Sequence, residues 1–134
     1  MIRALIILFY LFATVIVGAL GDGLNASGTQ DWGHVANAIE VGVLLIAFYA
    51  IDEDRQLTAR EVFLMFGTYV CLRFAFFDYA YNIFAGNELT YLSHNNFWGR
   101  LWIEFLKAEP QGIVWARLVF LIVGVLLPLK YLKK

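Results

Sequence analysis

Four long apolar stretches, separated by polar connections, set the organisation of this chain. The first covers about residues 3–20 and runs ALIILFYLFATVIVGAL behind Arg3. Val17-Gly18-Ala19 would serve as a signal cleavage site, but the apolar run is longer than a usual signal core. It approaches the length that crosses hydrocarbon, and it reads as a retained first transmembrane helix. The second stretch covers about residues 34–51. His34, Asn37 and Glu40 recur every third position and give its first half a polar edge, and VGVLLIAFYAI follows. The third covers about residues 60–86, with Thr58 and Glu61 in capping-box register at its start. At 1.5 Å per residue it reaches ~40 Å, more than the hydrocarbon needs, so it tilts or projects. The fourth covers about residues 113–130, with Trp115 and Arg117 near its start and Pro128 near its end.

The connections carry their own pattern. GDGLNASGTQDWG, residues 21–33, has four glycines and predicts a loop. Residues 52–60 are short and charged. In the long polar connection of residues 87–111, Phe97, Trp98, Leu101, Trp102, Phe105 and Leu106 fall on one helical stripe, with Arg100, Glu104 and Lys107 off it. That predicts an amphipathic helix over about 96–108, capped by Asn95 or Asn96 and ended by Pro110 and Gly112. It is too short to span and is expected to lie in the interface, Trp98 and Trp102 toward lipid. The expectation is an all-α membrane protein: four transmembrane helices, one short outer interfacial helix, and a single integral membrane domain over residues 1–134.

Composition agrees. Apolar residues make up 61% of the 134 positions and charged residues 16%, against about half and a quarter in soluble domains. The net charge of −1 gives nucleic acid nothing to bind. The single cysteine, Cys71, excludes an intrachain disulfide and CxxC redox chemistry. Arg3, Arg55, Arg60, Lys130, Lys133 and Lys134 fall on the side of both termini, and Arg100 and Lys107 fall opposite. That bias predicts cytoplasmic termini in a plasma or inner membrane. Trp32, Trp98, Trp102 and Trp115 then share the outer level, where tryptophan anchors at headgroups.

The candidate chemistry lies where ionisable groups enter these helices. Tyr69 to Gly86 carries Arg73, Asp78 and Asn82 in an otherwise apolar run. Such groups are expensive in hydrocarbon and call for partners. By depth, Asp78, Asn82, Glu40 and Arg117 are expected to converge in the outer half, with Arg117 on Asp78 and Glu40 as its alternate partner. Asp78, Glu40 and Arg117 are the catalytic candidates; Arg73, Asn82, His34, Asn37 and His94 are the binding candidates. Arg73 lies about 140° around the helix from Asp78, with no acidic residue evident at its depth. No metal site or cofactor is expected: haem held by His34 and His94 would lack any HxxxH or HExxH spacing.

Three functions fit these residues. The first is a structural or accessory subunit, self-associating or docked on other membrane subunits, its polar cluster fixing helix packing. With no motif of known chemistry, the balance leans away from an enzyme. The second is a membrane-embedded enzyme or carrier with an outward-opening site on the same cluster. The third is a lytic pore former, which the low, balanced charge disfavours.

Overall fold

Each apolar stretch folds as a helix, and packing carries two of them past the limits that composition suggests. In the computed structural model, which describes residues 2–52, 58–92, 97–105 and 110–131, α1 is Ile2–Ala26, α2 Gln30–Asp52, α3 Ala59–Ala85, α4 Phe97–Arg100 and α5 Pro110–Tyr131. Leu101–Phe105 continues α4 as a π-helical turn. No strand occurs among the described residues. Three helices are long and apolar enough to cross a membrane, over Ala4–Ala26, Ala59–Ala85 and Gly112–Lys130.

The expected loop of residues 21–33 is mostly helix, and only residues 27–29 turn the chain. Glycine costs a helix interior about 1 kcal/mol relative to alanine. Here close packing outweighs that cost. A Cβ on Gly21 would land on Asn37 Oδ1, and a Cβ on Gly33 would land on Asn25 Oδ1. The two glycines therefore let α1 and α2 meet backbone to backbone, each receiving an asparagine from the other helix. A Cβ on Gly23 would stand 2.7 Å from Phe84 Cβ, so α1 also closes on the end of α3 there. The turn itself needs Gly28, whose φ of 88° is the left-handed region. Ser27 N donates to Gly23 O at 2.9 Å and Thr29 N to Leu24 O at 3.0 Å, which satisfies the last carbonyls of α1.

α3 keeps the limits read from its sequence. Thr58 Oγ1 accepts from Glu61 N at 3.3 Å, and Glu61 Oε2 accepts from Thr58 N at 3.0 Å, a complete capping box. Gly86, at φ 73°, closes the other end. α5 starts earlier than expected, because Pro110 begins it instead of ending the preceding segment. Proline suits the first helical position, where no intrahelical N–H is needed.

α1 lies between α2 and α3, and α3 packs in turn against α5. The core stripe of α1 is Ala4, Ile7, Leu11, Val15 and Ala19, spaced at three and four residues. It meets Met65, Leu72, Phe77 and Ala80 of α3. The outward faces are apolar too, including Phe9, Leu45, Phe63, Phe66 and Trp115. That is the surface hydrocarbon accepts and water does not. The helix expected over 96–108 is helical over its described part, 97–105, but Trp102 does not face outward. It is 1% exposed, edge-on to Phe74 at 5.5 Å and to Phe120 at 6.4 Å. The rings of Phe74 and Phe120 stack 4.8 Å apart across the α3–α5 contact, and the indole stands edge-on against that stack. Asn95, Asn96 and Lys107 lie outside the described residues.

Candidate functional site

The ionisable groups form two clusters on different faces of α3. Asp78 is a buried position of that helix, turned toward α5, and Arg117 is buried one helix away. Arg117 Nη2 donates to Asp78 Oδ2 at 2.6 Å. The Tyr79 ring lies under the guanidinium, 4.2 Å from its carbon, and the Trp102 ring stands 5.9 Å away. Side-chain exposure is 6% for Arg117 and 9% for Asp78. The pair links α3 to α5, and neither charge has water to retreat to if the other is removed. One donor is left over: Arg117 Nε is buried with no acceptor among the described residues.

The second cluster joins α1, α2 and α3. Arg73 Nη1 donates to Tyr69 Oη at 3.0 Å and stands 3.9 Å from Glu40 Oε1. Its guanidinium carbon is 3.9 Å above the Phe77 ring. Glu40 reaches Arg73 across α1 because Gly18 has no side chain: a Cβ there would overlap the Glu40 carboxyl group. Asp22, one turn beyond Gly18 on α1, adds a second carboxylate near Arg73. This cluster is half-buried, with side-chain exposures of 17% for Arg73 and 23% for Glu40.

The single cluster expected from depth is therefore corrected to two. α2 packs on α1 and α5 on α3, so Glu40 and Arg117 stand on opposite sides of the bundle. Arg73 does have acidic neighbours, Glu40 and Asp22. The turn of about 140° between Arg73 and Asp78 carries the reason: it points them at different neighbours. Asp22 falls in the glycine-rich segment that its composition marks as a loop, which keeps it out of the set of expected site residues. The signal that would have found it is Gly18-x-x-Gly21, a bare face of α1 over which a long acid can pass.

The remaining candidates fall elsewhere. Asn82 does not complete the Asp78–Arg117 pair. Its Nδ2 donates to Leu89 O at 3.0 Å and Tyr91 O at 2.7 Å, tying the following loop to α3. Asn37 wedges its amide against Gly21. His34 is exposed on α2, and His94 lies outside the described residues. Among the described residues no group of three or more His, Cys, Asp or Glu is gathered to hold a metal ion. Cys71 is half-buried, and a Cβ on Gly124 of α5 would stand 3.0 Å from its Cβ, so it is a packing residue at a close crossing. A groove of about 350 Å³ runs between α3 and α5, walled by Phe76, Tyr79, Val114, Trp115, Leu118 and Arg117 among others. No protein-family model, curated protein or solved structure matches the chain, so the functional reading rests on its own geometry.

Proposed function

We propose that this chain is a small polytopic membrane protein that serves as a structural or accessory subunit of a membrane assembly. In this reading α2 spans as well: its 23 residues reach about 35 Å, and Glu40, its most deeply placed acid, lies beside Arg73. Both termini face the cytoplasm, and residues 97–105 stand at the outer boundary with Trp102 tucked inward. The observation that carries the reading is the Asp78–Arg117 pair, dry and 2.6 Å long, which is built to hold α3 on α5 and not to meet a substrate. α5 supports it. Apart from its contact with α3 and a lighter one with α1, its Val114, Trp115, Leu118, Val119, Ile122, Val123 and Leu126 are exposed, an apolar surface open to neighbouring helices.

The test is assembly state. Cross-linking in native membranes, followed by mass measurement in mild detergent, is expected to give a homo-oligomer or a stoichiometric complex with another membrane protein. A monomer in both settings would refute the subunit reading. Orientation is checked in a Cys71→Ala background: a cysteine at Ser27 is labelled from outside intact cells by an impermeant reagent, and one at Ala59 only after permeabilisation.

A second reading, an enzyme or carrier, has one observation in its favour. The Asp22, Glu40 and Arg73 group is only half-buried, and intramembrane charges with partial access mark sites in many membrane proteins. Glu40→Gln and Asp22→Asn variants that assemble normally yet abolish the cellular phenotype would favour that reading over the first.

A further inference from the structure

The cluster of Asp22, Glu40 and Arg73 is unbalanced in charge, and it lies beside bare apolar surface. Asp22 and Glu40 bring two carboxylates, and Arg73 is the one base that faces them among the described residues. One negative charge is therefore in excess when all three are ionised. Asp22 is exposed, and 23% of the Glu40 side chain is exposed at ~15 Å past the start of α2. An excess charge at that depth borders hydrocarbon, which disfavours it. The helix packing leaves the same side open, because α2 and α3 each pack on α1 but scarcely touch each other. Phe66, seven residues before Arg73 and so on the same face of α3, is 65% exposed. Phe63, one turn further, is 76% exposed. A charged upper patch thus continues into an aromatic lower one along a single helix face.

From these we propose that the open face between α2 and α3 docks one transmembrane helix of another membrane protein, which presents a lysine or arginine level with Glu40 and lays its apolar inner half on Phe63 and Phe66. The inference rests on the subunit reading and names the kind of partner. The base follows from the charge left over. Glu40 stands 3.9 Å from Arg73, so an incoming cation completes the balance by meeting Asp22 and the open side of the Glu40 carboxylate. A second copy of this chain does not fit here: its matching surface carries the same negative excess, and its Arg117 is buried against its own Asp78. Hydrophobic matching alone would not select the partner, because lipid tails are as apolar as a leucine helix. The excess charge supplies the selection, and Phe63 and Phe66 supply the packing.

The test uses the full chain in phosphatidylcholine vesicles, with a donor dye on a cysteine at Ser27 in the Cys71→Ala background. The probes are synthetic leucine–alanine transmembrane helices with an acceptor dye at one end. Ten residues from that end they carry lysine, leucine or glutamate. Saturable energy transfer to the lysine helix is expected, with an affinity ~10-fold above that of the leucine helix; the glutamate helix should bind no better than the leucine one. Asp22→Asn removes the excess charge from an exposed position and leaves Glu40 on Arg73, so it should abolish the lysine preference. Phe66→Ala should weaken binding of the lysine helix from a second exposed position. An unchanged far-ultraviolet dichroism spectrum and melting profile show that each variant folds. Equal affinity for the lysine and leucine helices, a preference for glutamate, or a lysine preference that survives Asp22→Asn would overturn the proposal. A homo-oligomer in native membranes with no lysine preference in vesicles would leave the subunit reading standing and remove this one.

Discussion

Neutralising either partner of the Asp78–Arg117 pair should strand the other. At a separation of 2.6 Å and an effective dielectric constant near 20, the gross attraction is about 6 kcal/mol. Desolvation takes back several kilocalories per mole for each ion, so the pair's net worth is small compared with the cost of breaking it. Asp78→Asn leaves a guanidinium between the Tyr79 and Trp102 rings with no counter-charge facing it from α3; Arg117→Gln leaves a carboxylate in the same place. Each single change should cost about 3–5 kcal/mol. The double change leaves two neutral amides able to hydrogen-bond, and its cost should fall short of the sum by up to about 3 kcal/mol. The assay is unfolding in mixed micelles by increasing sodium dodecyl sulfate, with near-ultraviolet dichroism reporting the Phe74–Trp102–Phe120 stack beside the pair. Additive costs, or single losses below about 1 kcal/mol, would show that the pair does not hold α3 to α5.

Three other outcomes follow from the same geometry. Gly21→Ala should separate α1 from α2 and cost about 1–3 kcal/mol, and Asn37→Ser should recover part of that by withdrawing the amide the new methyl meets; the melting temperature of the single and double variants checks both. Asn82→Ala removes the donor to Leu89 O and Tyr91 O, so amide exchange over residues 87–91 should accelerate while exchange in the middle of α3 stays as it was. Thr58→Ala should cost about 1 kcal/mol through loss of the capping box, seen as fraying confined to the first turn of α3 in the same exchange experiment.

The sequence reveals the local features best. Thr58 and Glu61 announce the start of α3, because a capping box is a matter of spacing within four residues. The same chain hides the ends of α1 and α2. Gly21, Gly23 and Gly33 are poor helix formers taken one at a time. What makes them helical is an asparagine or a neighbouring helix filling the space of the absent Cβ, and that contact joins positions up to 62 residues apart. The Asp78–Arg117 pair was legible because opposite charges at similar depth in hydrocarbon must find each other. Glu40 shares that depth but faces Arg73, because depth orders residues along a helix and says nothing of direction around it. The inward direction of Trp102 is hidden for a related reason. An amphipathic stripe shows that one face avoids water without distinguishing lipid from the Phe74–Phe120 stack.

Taken together, the two clusters do more than satisfy buried charge. α3 presents a base, Arg73, toward α1 and α2, and an acid, Asp78, toward α5. α2 answers with Glu40 and α5 with Arg117, so each neighbour carries the sign its side of α3 requires. Exchange α2 and α5 around the α1–α3 pair and Glu40 would face Asp78 while Arg117 faced Arg73. Two like-charge contacts in a medium of low dielectric would then replace two attractive ones. Apolar helices in lipid have little hydrophobic preference for one neighbour over another, since the tails are as apolar as leucine. Charge placement supplies the missing discrimination by penalising the wrong arrangement as well as favouring the right one. The small residues act on the same problem by distance. Gly18 lets Glu40 pass over α1 to reach Arg73, and Gly21 and Gly33 hold α2 close enough for that reach. Replacing Gly18 would therefore act at the Glu40–Arg73 contact, although Gly18 belongs to neither helix of that pair.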